Sequence, residues 1–179
     1  MKRGRLTLMA AVVVTAAGCA SAQGGAAGGS EGAATARLLN AQGVQIGVAE
    51  LEQEGSAVEV EISVSGLTPG VHGIHFHTVG TCTGPDFMSA GGHFNPGQRQ
   101  HGFDNPQGFH AGDLRNLEVG ANGKGSVEFQ SPNVSLGTGS TSLLDADGTA
   151  IVIHATADDY RTDPSGNSGA RIACGVIAR

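Results

Sequence analysis

Positive charge, aromatic side chains and long apolar stretches are all scarce in this sequence. Its 179 residues include 10 Lys and Arg against 16 Asp and Glu, which gives a formal net charge of −6, and the few basic residues beyond position 5 form no cluster. Nucleic-acid binding requires a basic surface, so we expect no nucleic-acid partner. An anionic substrate would need a local positive group to overcome the overall negative field.

The sequence also lacks an apolar run long enough to cross a membrane. Lys2, Arg3 and Arg5 precede an apolar run at residues 6–17, which is too short to span a bilayer and ends in small residues. This arrangement is typical of an export signal, which we place at residues 1–22. Export predicts a location in the cell envelope or periplasm.

Two processing patterns overlap at the end of this signal. Residues 16–19 are similar to a bacterial lipobox, in which Cys19 becomes the lipidated first residue, although such motifs usually carry Leu where Ala16 stands. Residues 20–22 form an A-x-A site that would instead release a soluble chain beginning at Gln23. A lipid on Cys19 would anchor the chain to a membrane without spanning it, and this is the one membrane contact we expect.

Residues 23–34 contain only Gly, Ala, Ser and Gln apart from one acidic residue. Such a composition cannot bury a core and predicts a flexible tether. A tether behind a lipidated cysteine would hold the following domain off the membrane surface, which favours the lipobox.

Cysteine is scarce as well, with three in the chain. Cys19 is either lipidated or removed with the signal, which leaves Cys82 and Cys174. An even pair in a chain sent to an oxidising compartment predicts a disulfide bond.

The remaining residues, 35–179, are enough for one domain with a single core. Alternating apolar and polar residues at 58–65 predict a strand with one buried face, and Asn122-Gly123 has the composition of a tight hairpin turn. Thirty glycines and turn signals at short spacing favour an all-β fold, an antiparallel sandwich or barrel. The predicted strands are 43–54, 58–65, 114–121, 124–130, 150–154 and 171–177.

Two segments, 78–112 and 155–170, are too long and too irregular to be strands. Long structureless loops inside a compact domain are usually functional. Most of the chemistry-bearing residues of the chain lie in these two loops or on the strands that border them.

Histidine is abundant by contrast, and six of the seven histidines have spacings that suit metal ligation. His75 and His77 are two apart on a strand-like segment, so both side chains point to one face. Neutral imidazole is the commonest protein ligand for zinc and copper. The candidate ligands are His75, His77, His93, His101, His110, Asp113 and His154. Seven ligands serve two four-coordinate metals only if one residue is shared, and the residues alone do not say which.

Four segments carry a family resemblance. They read HGIHFH at 72–77, GGHFNP at 91–96, HAGDL at 110–114 and GARIACGVI at 169–177. With these motifs in this order, residues 35–179 resemble the copper/zinc superoxide dismutases over essentially their whole length. The resemblance implies a Greek-key antiparallel β-barrel or sandwich of the immunoglobulin-like type.

The resemblance also implies a role for each candidate ligand. Carried over residue by residue, the copper ligands would be His75, His77, His93 and His154. The zinc ligands would be His93, His101, His110 and Asp113. His93 would bridge the two metals as an imidazolate and would also serve catalysis by taking up and delivering a proton.

Three further features match the family pattern. Arg171 corresponds to the arginine beside the copper that binds the superoxide anion, and Asp158 to the carboxylate that links a copper histidine to a zinc histidine. Cys82 and Cys174 correspond to the family's disulfide. The implied reaction is dismutation of superoxide to dioxygen and hydrogen peroxide by a redox-cycling copper, with a structural zinc, which would protect the cell envelope from superoxide.

The sequence departs from the eukaryotic pattern in two places. The segment 155–170 is shorter, and the acidic and lysine residues that steer the substrate in many eukaryotic members have no clear match in it, although Arg161 lies there. The segment 80–90 also differs, which leaves open whether a homodimer forms. His72 has no role in the pattern and is interpreted as a surface or hydrogen-bonding histidine. The alternative function is a non-catalytic protein that holds or delivers copper. Arg171 and the complete zinc set favour the enzyme.

Overall fold

The computed structural model describes residues 32–179. The predicted export signal, the lipidation site at Cys19 and most of the predicted tether lie outside the described residues. Within residues 32–179, no helix has the length and apolar character needed to cross a membrane.

The described part of the chain is built from strands and long loops. The strands are β1 (Ala33–Asn40), β2 (Gln45–Glu54), β3 (Ala57–Ser65), β4 (Gly70–His72), β5 (Ile74–His77), β6 (Leu117–Val119), β7 (Lys124–Ser131), β8 (Ala150–His154) and β9 (Arg171–Ala178). One turn of 3₁₀ helix, Met88–Ala90, is the helical element of this range. The two loops predicted from the sequence separate β5 from β6 and β8 from β9.

Seven strands form one antiparallel sheet in the order β5-β8-β9-β1-β2-β3-β7, and β4 pairs with β6 in a second, two-stranded sheet. The first and last strands of the domain are therefore neighbours, because β1 pairs with both β2 and β9. This curled antiparallel architecture confirms the predicted all-β fold class.

The core follows from the alternation of side chains along the strands. In β3, Val58, Val60 and Ile62 are fully buried, whereas the intervening Glu59 and Glu61 face outward. Burying each such apolar side chain contributes about 1.5–3 kcal/mol, and the one-sided pattern fixes which face of the sheet closes over the core.

Two features of the sheet differ from the sequence-based expectation. The segment 114–121 forms only the three residues of β6, which pair with β4, while β7 pairs along its whole length with β3. Asn122-Gly123 does form a tight turn, with Gly123 at φ 73° and the Gly120 amide bonded to the Lys124 carbonyl, but no hairpin ladder extends from it.

The first strand gave no clear signal in the sequence. Ala34, Ala36 and Leu38 point inward from β1, but alanine is a weak marker of a buried strand face. The strand begins at Ala33, two residues inside the tether predicted for 23–34.

A disulfide fastens the first loop to the sheet. Cys82 and Cys174 are bonded, with 5.6 Å between their Cα atoms and a separation of 92 positions in sequence, which confirms the predicted pair. Cys174 is a buried residue of β9, so the bond holds the loop against the middle of the main sheet.

Candidate metal centre

Strand β5 provides the base on which the site is assembled. Two segments of the first loop, around Phe94 and around Gly112, lie along its edge. The Phe76 amide donates to the Gly112 carbonyl, the Phe94 amide to the Phe76 carbonyl and the Gly112 amide to the Phe94 carbonyl, at 2.8–2.9 Å. A Cβ on Gly112 would lie 2.5 Å from the Phe76 carbonyl oxygen, so this close approach requires glycine. These contacts bring His93 beside His77 and Asp113 beside His75.

Four histidines converge at one end of this arrangement, and we call them the four-histidine set. The free ring nitrogens are His75 Nδ1, His77 Nε2, His93 Nε2 and His154 Nε2. The four side chains offer donor atoms that all lie within 4.8 Å of one another. Each of these nitrogens is buried and has no hydrogen-bond partner within the described part of the chain. Leaving a buried polar atom unpaired costs about 1–3 kcal/mol, so the arrangement suits a ligand that accepts four lone pairs, as a metal ion does.

The second nitrogen of three of these rings is already occupied. His77 Nδ1 lies 2.9 Å from the Gly91 carbonyl oxygen and His154 Nδ1 lies 3.2 Å from that of Gly169. Carbonyl oxygens only accept hydrogen bonds, so these nitrogens carry the proton and the opposite nitrogens present lone pairs. His75 is held in the same manner by the carboxylate of Asp158, 2.9 Å from its Nε2.

A second group of donors lies on the other side of His93, and we call it the mixed set. It consists of the Nδ1 atoms of His93, His101 and His110 together with Asp113 Oδ1. Asp113 Oδ1 is 3.0, 2.9 and 3.1 Å from these three nitrogens, in that order, and the His93 and His110 nitrogens are 3.3 Å apart. Donors in a tetrahedral zinc site, with Zn–N distances of about 2.0–2.1 Å, are about 3.3–3.4 Å apart, so the mixed set is close to that size.

His75 also lies within 4.8 Å of His93, His101 and Asp113 and could be counted with them. Its Nε2 is bonded to Asp158, however, and its Nδ1 belongs to the four-histidine set. His110 therefore completes the mixed set better than His75 does.

Asp158 connects the two sets. Its Oδ2 is 2.9 Å from His75 Nε2 and its Oδ1 is 2.9 Å from His101 Nε2, so one buried carboxylate contacts a ring of each set. Burial alone would raise the pKa of Asp158, but the hydrogen bonds from His101 and His75 hold it below the ordinary range. The adjacent Asp159 instead accepts hydrogen bonds from Thr162 and Asn167 within its own exposed loop.

Burial sets the charge state of the four-histidine set. It lowers the pKa of His75 to about 3, of His77 to about 2 and of His154 to about 4. These rings are therefore neutral at physiological pH, which is the form that binds metals. In the mixed set, burial opposes protonation of His101, but hydrogen bonds with Asp113 and Asp158 raise its pKa to about 9.

Arg171 is held next to the four-histidine set by the first loop. Its Nη1 donates to the Phe87 carbonyl at 2.8 Å and its Nη2 donates to that of Gly91 at 2.7 Å. The Gly91 carbonyl also binds His77 Nδ1, so one backbone oxygen fixes both a ring of the set and the guanidinium. Arg171 is partly exposed at the start of β9 and presents a positive charge beside His77 and His154.

The remaining residues near the site are His72, which has no role in the family pattern, and the two residues whose carbonyls hold Arg171. His72 is buried, with its ring nitrogens 2.8 Å from the His154 carbonyl and 2.9 Å from that of Thr68, so it is a hydrogen-bonding and not a surface histidine. The backbone acceptors of Phe87 and Gly91 had no signal in the sequence, because a carbonyl group is common to every residue.

The comparisons with known proteins agree with this geometry. A family model described as copper/zinc superoxide dismutase matches residues 45–177. The chain belongs to the copper/zinc superoxide dismutase family.

Several bacterial proteins are similar to this chain over the same region. The superoxide dismutase-like protein YojM of Bacillus subtilis is 51% identical over 144 residues, which cover 79% of this chain and 74% of the relative. The Cu-Zn superoxide dismutase 1 of Aquifex aeolicus is 46% identical over 144 residues, which cover 79% of this chain and 85% of the relative. The crystal structure of a superoxide dismutase-like protein from Bacillus subtilis superposes with a TM-score of 0.77 at 48% identity, over 79% of this chain and 96% of that one.

These matches confirm the predicted family, the enzyme class of superoxide dismutase and the two metals, copper and zinc, that the family uses. The seven predicted ligands converge in the two sets described above.

Proposed function

We propose that this chain dismutates superoxide with copper at the four-histidine set and zinc at the mixed set, and that His93 bridges the two metals. The observation that carries this proposal is the double use of one imidazole ring. His93 Nε2 points into the four-histidine set without a hydrogen-bond partner, while its Nδ1 lies 3.0 Å from Asp113 Oδ1 in the mixed set. No other ring of the two sets contributes one nitrogen to each.

The chemistry of the donors supports this assignment of the metals. Bound copper supplies one-electron redox chemistry, and zinc supplies a fixed charge without redox activity. The mixed set has one carboxylate and three imidazoles at near-tetrahedral spacing, which suits structural zinc. The four-histidine set has imidazole donors alone and lies beside a partly exposed arginine, which suits the metal that meets the substrate.

The chain's own residues would act as follows during turnover. Two superoxide anions and two protons yield one dioxygen and one hydrogen peroxide. Arg171 would attract each anion and orient it, because its guanidinium stays charged and is fixed at Nη1 and Nη2 by backbone carbonyls. His93 Nε2 is the buried atom at which a proton can be taken up and released to the reduced product. Asp158 would keep His75 and His101 in fixed orientations throughout.

We propose that the protein works in the cell envelope, where it would protect against superoxide. The disulfide between Cys82 and Cys174 fits an oxidising compartment. The predicted signal at residues 1–22 and the lipobox at Cys19 support export with a lipid anchor. Replacing Cys19 with Ala should move the protein from the membrane fraction to the soluble fraction, and an unchanged membrane fraction would contradict the anchor.

The test of the activity compares two arginine variants of the full chain loaded with copper and zinc. Arg171→Ala should lower kcat/KM for superoxide by about 10-fold or more, because the local field that attracts the anion is lost. Arg37→Ala removes the same charge from an exposed position on β1 and should leave the rate within error. A negligible rate with both metals bound would instead assign the chain to the copper-holding function.

A further inference from the structure

Asp163 is an acidic residue of the second loop that has no part in the function proposed so far. Its Oδ1 accepts a hydrogen bond from the backbone N–H of His101 at 2.7 Å. The same oxygen lies 4.0 Å from Nε2 of His110. One carboxylate thus faces two members of the mixed set, His101 through its backbone and His110 through its ring.

The position of Asp163 is fixed by the loop around it. Asp159 accepts hydrogen bonds from the Thr162 amide at 2.8 Å and from the Thr162 hydroxyl at 2.6 Å, and the Gly166 amide donates to the Thr162 carbonyl. These bonds hold the residue immediately before Asp163, so its carboxylate is directed by an ordered turn.

Asp163 stands in the same relation to His110 as Asp158 does to His101. Each histidine directs Nδ1 into the mixed set and its Nε2 toward an aspartate of the second loop. A carboxylate near the outer nitrogen orients the ring and increases the basicity of the nitrogen that binds the metal. At 4.0 Å the carboxylate charge still attracts the outer ring N–H of a neutral imidazole, so a direct hydrogen bond is not needed for this effect.

We propose that Asp163 is a positioning residue of the mixed set, which orients His110 through its charge and His101 through its backbone, and so strengthens zinc binding from outside the ligand shell. This inference rests on the zinc assignment proposed above. Two carboxylates of the second loop would then support the zinc site without binding the metal. They are the buried Asp158 and the half-exposed Asp163.

Three variants of the full chain separate the contacts. Asp163→Ala removes both the charge and the acceptor, whereas Asp163→Asn keeps an acceptor for the His101 amide and removes only the charge. Glu61→Gln removes the same charge from the exposed face of β3 and serves as the matched control. Zinc affinity is measured by competition with a chelator, and the geometry of the set by the visible spectrum of cobalt(II) bound in place of zinc.

Asp163→Ala should weaken zinc binding by about 10-fold and change the cobalt spectrum. The zinc affinity of Asp163→Asn should lie between that of Asp163→Ala and that of the native chain. Glu61→Gln should bind zinc as the native chain does. If Asp163→Ala and Asp163→Asn both bind zinc as the native chain does, the proposal is wrong. Melting temperatures with and without zinc test the alternative that Asp163 only stabilises its loop. If Asp163→Ala lowers the melting temperature equally with and without zinc and leaves the zinc affinity unchanged, the proposal is also wrong.

His110→Ala distinguishes this failure from failure of the zinc assignment. If His110→Ala loses the tetrahedral cobalt spectrum while both Asp163 variants keep native zinc affinity, only the role of Asp163 is rejected. The zinc assignment then stands. Native zinc affinity in His110→Ala would reject the mixed set as the zinc site and the present inference with it.

Discussion

At the scale of single residues, the role of each histidine depends on which of its ring nitrogens is already occupied. In His77 and His154, a backbone carbonyl takes Nδ1 and leaves Nε2 free, whereas in His75 the Asp158 carboxylate takes Nε2 and leaves Nδ1 free. The free atoms face one another in every case. Bonds to groups outside the two sets thus fix the orientation of the candidate metal-binding nitrogens.

Gly166 shows how closely the second loop packs against Asp158 and the mixed set. It has φ 62°, and a Cβ at this position would collide with the Asp158 carboxylate and lie 2.7 Å from His101 Nε2. We expect Gly166→Ala to displace Asp158 and to weaken binding of both metals by about 10-fold or more, as measured by chelator competition.

Gly55→Ala is the matched control for that variant. Gly55 has a similar φ of 58° in the turn between β2 and β3, and its Cβ would meet nothing within 4 Å. Both variants carry the backbone strain of a positive φ, so only Gly166→Ala should affect metal binding. Equal metal affinities in the two variants would show that Asp158 does not depend on this packing.

The candidate ligands could be predicted from the sequence because histidine is rare enough that six at ligand-like spacings are informative. Asp158 and Arg171 could be predicted only through the family motifs, since a lone aspartate or arginine has many uses. The carbonyls of Phe87 and Gly91 that hold Arg171, and the closeness of Asp163 to His110, depend on loop conformation, which has no local pattern in the sequence.

At the scale of secondary-structure elements, the outer face of the sheet carries a row of like charges. In the register of β2, β3 and β7, Glu52 pairs with Glu59, and Glu61 pairs with both Glu50 and Glu128. Like charges directly opposite each other destabilise a sheet. Hydrogen bonds with Glu54 and then Glu128, together with repulsion from these carboxylates, raise the pKa of Glu59 to about 7 from its ordinary value of 4.5.

This shift predicts a pH-dependent stability. Because the folded state binds the Glu59 proton more tightly than the unfolded state does, its contribution is fully present below pH 4.5 and is lost as the pH rises through about 7. The melting temperature of Glu59→Gln should therefore equal that of the native chain at pH 4 and exceed it at pH 8. Glu118→Gln, on β6 in the smaller sheet, should show no such trend, and a constant difference across pH would contradict the assignment.

Five of the six predicted strands were found within two residues of their expected bounds, even where the alternation was loose or absent, whereas the partner of β6 and the existence of β1 were not predicted. Strand β3 alternates over its whole length and was found where expected. Strand β6 was expected to pair with β7 across Asn122-Gly123, but it pairs with β4, since turn composition specifies a local bend and not the partner of each strand. Strand β1 was missed because alanines supply two of its inward positions.

At the scale of the whole molecule, the two long loops meet at the candidate metal centre. The first loop is bonded to the sheet, and the second packs against the candidate ligands. The Cys82–Cys174 disulfide ties the first loop to β9, and Asp158 and Gly166 of the second loop pack against candidate ligands supplied by β5 and by the first loop. Removal of the metals should therefore affect the stability of the whole domain.

We expect removal of zinc and copper by a chelator to lower the melting temperature of the entire domain in one transition. A ligand present at 1,000 times its dissociation constant stabilises the folded state by about 4 kcal/mol, so the decrease should be large and should reverse when the metals are restored. Calorimetry of the full chain checks this expectation. A melting temperature that is independent of metal content would mean that the metals bind a surface already rigid without them.

The single carboxylate of Asp158, which touches a ring of each set, has a thermodynamic consequence. If occupancy of one set helps to orient the rings of the other, the two affinities are linked, and the factor by which zinc improves copper binding must equal the factor by which copper improves zinc binding. An affinity measured for one metal then describes the pair and changes with the concentration of its neighbour. The order in which a cell supplies the metals would alter the rate of filling, but not the final state.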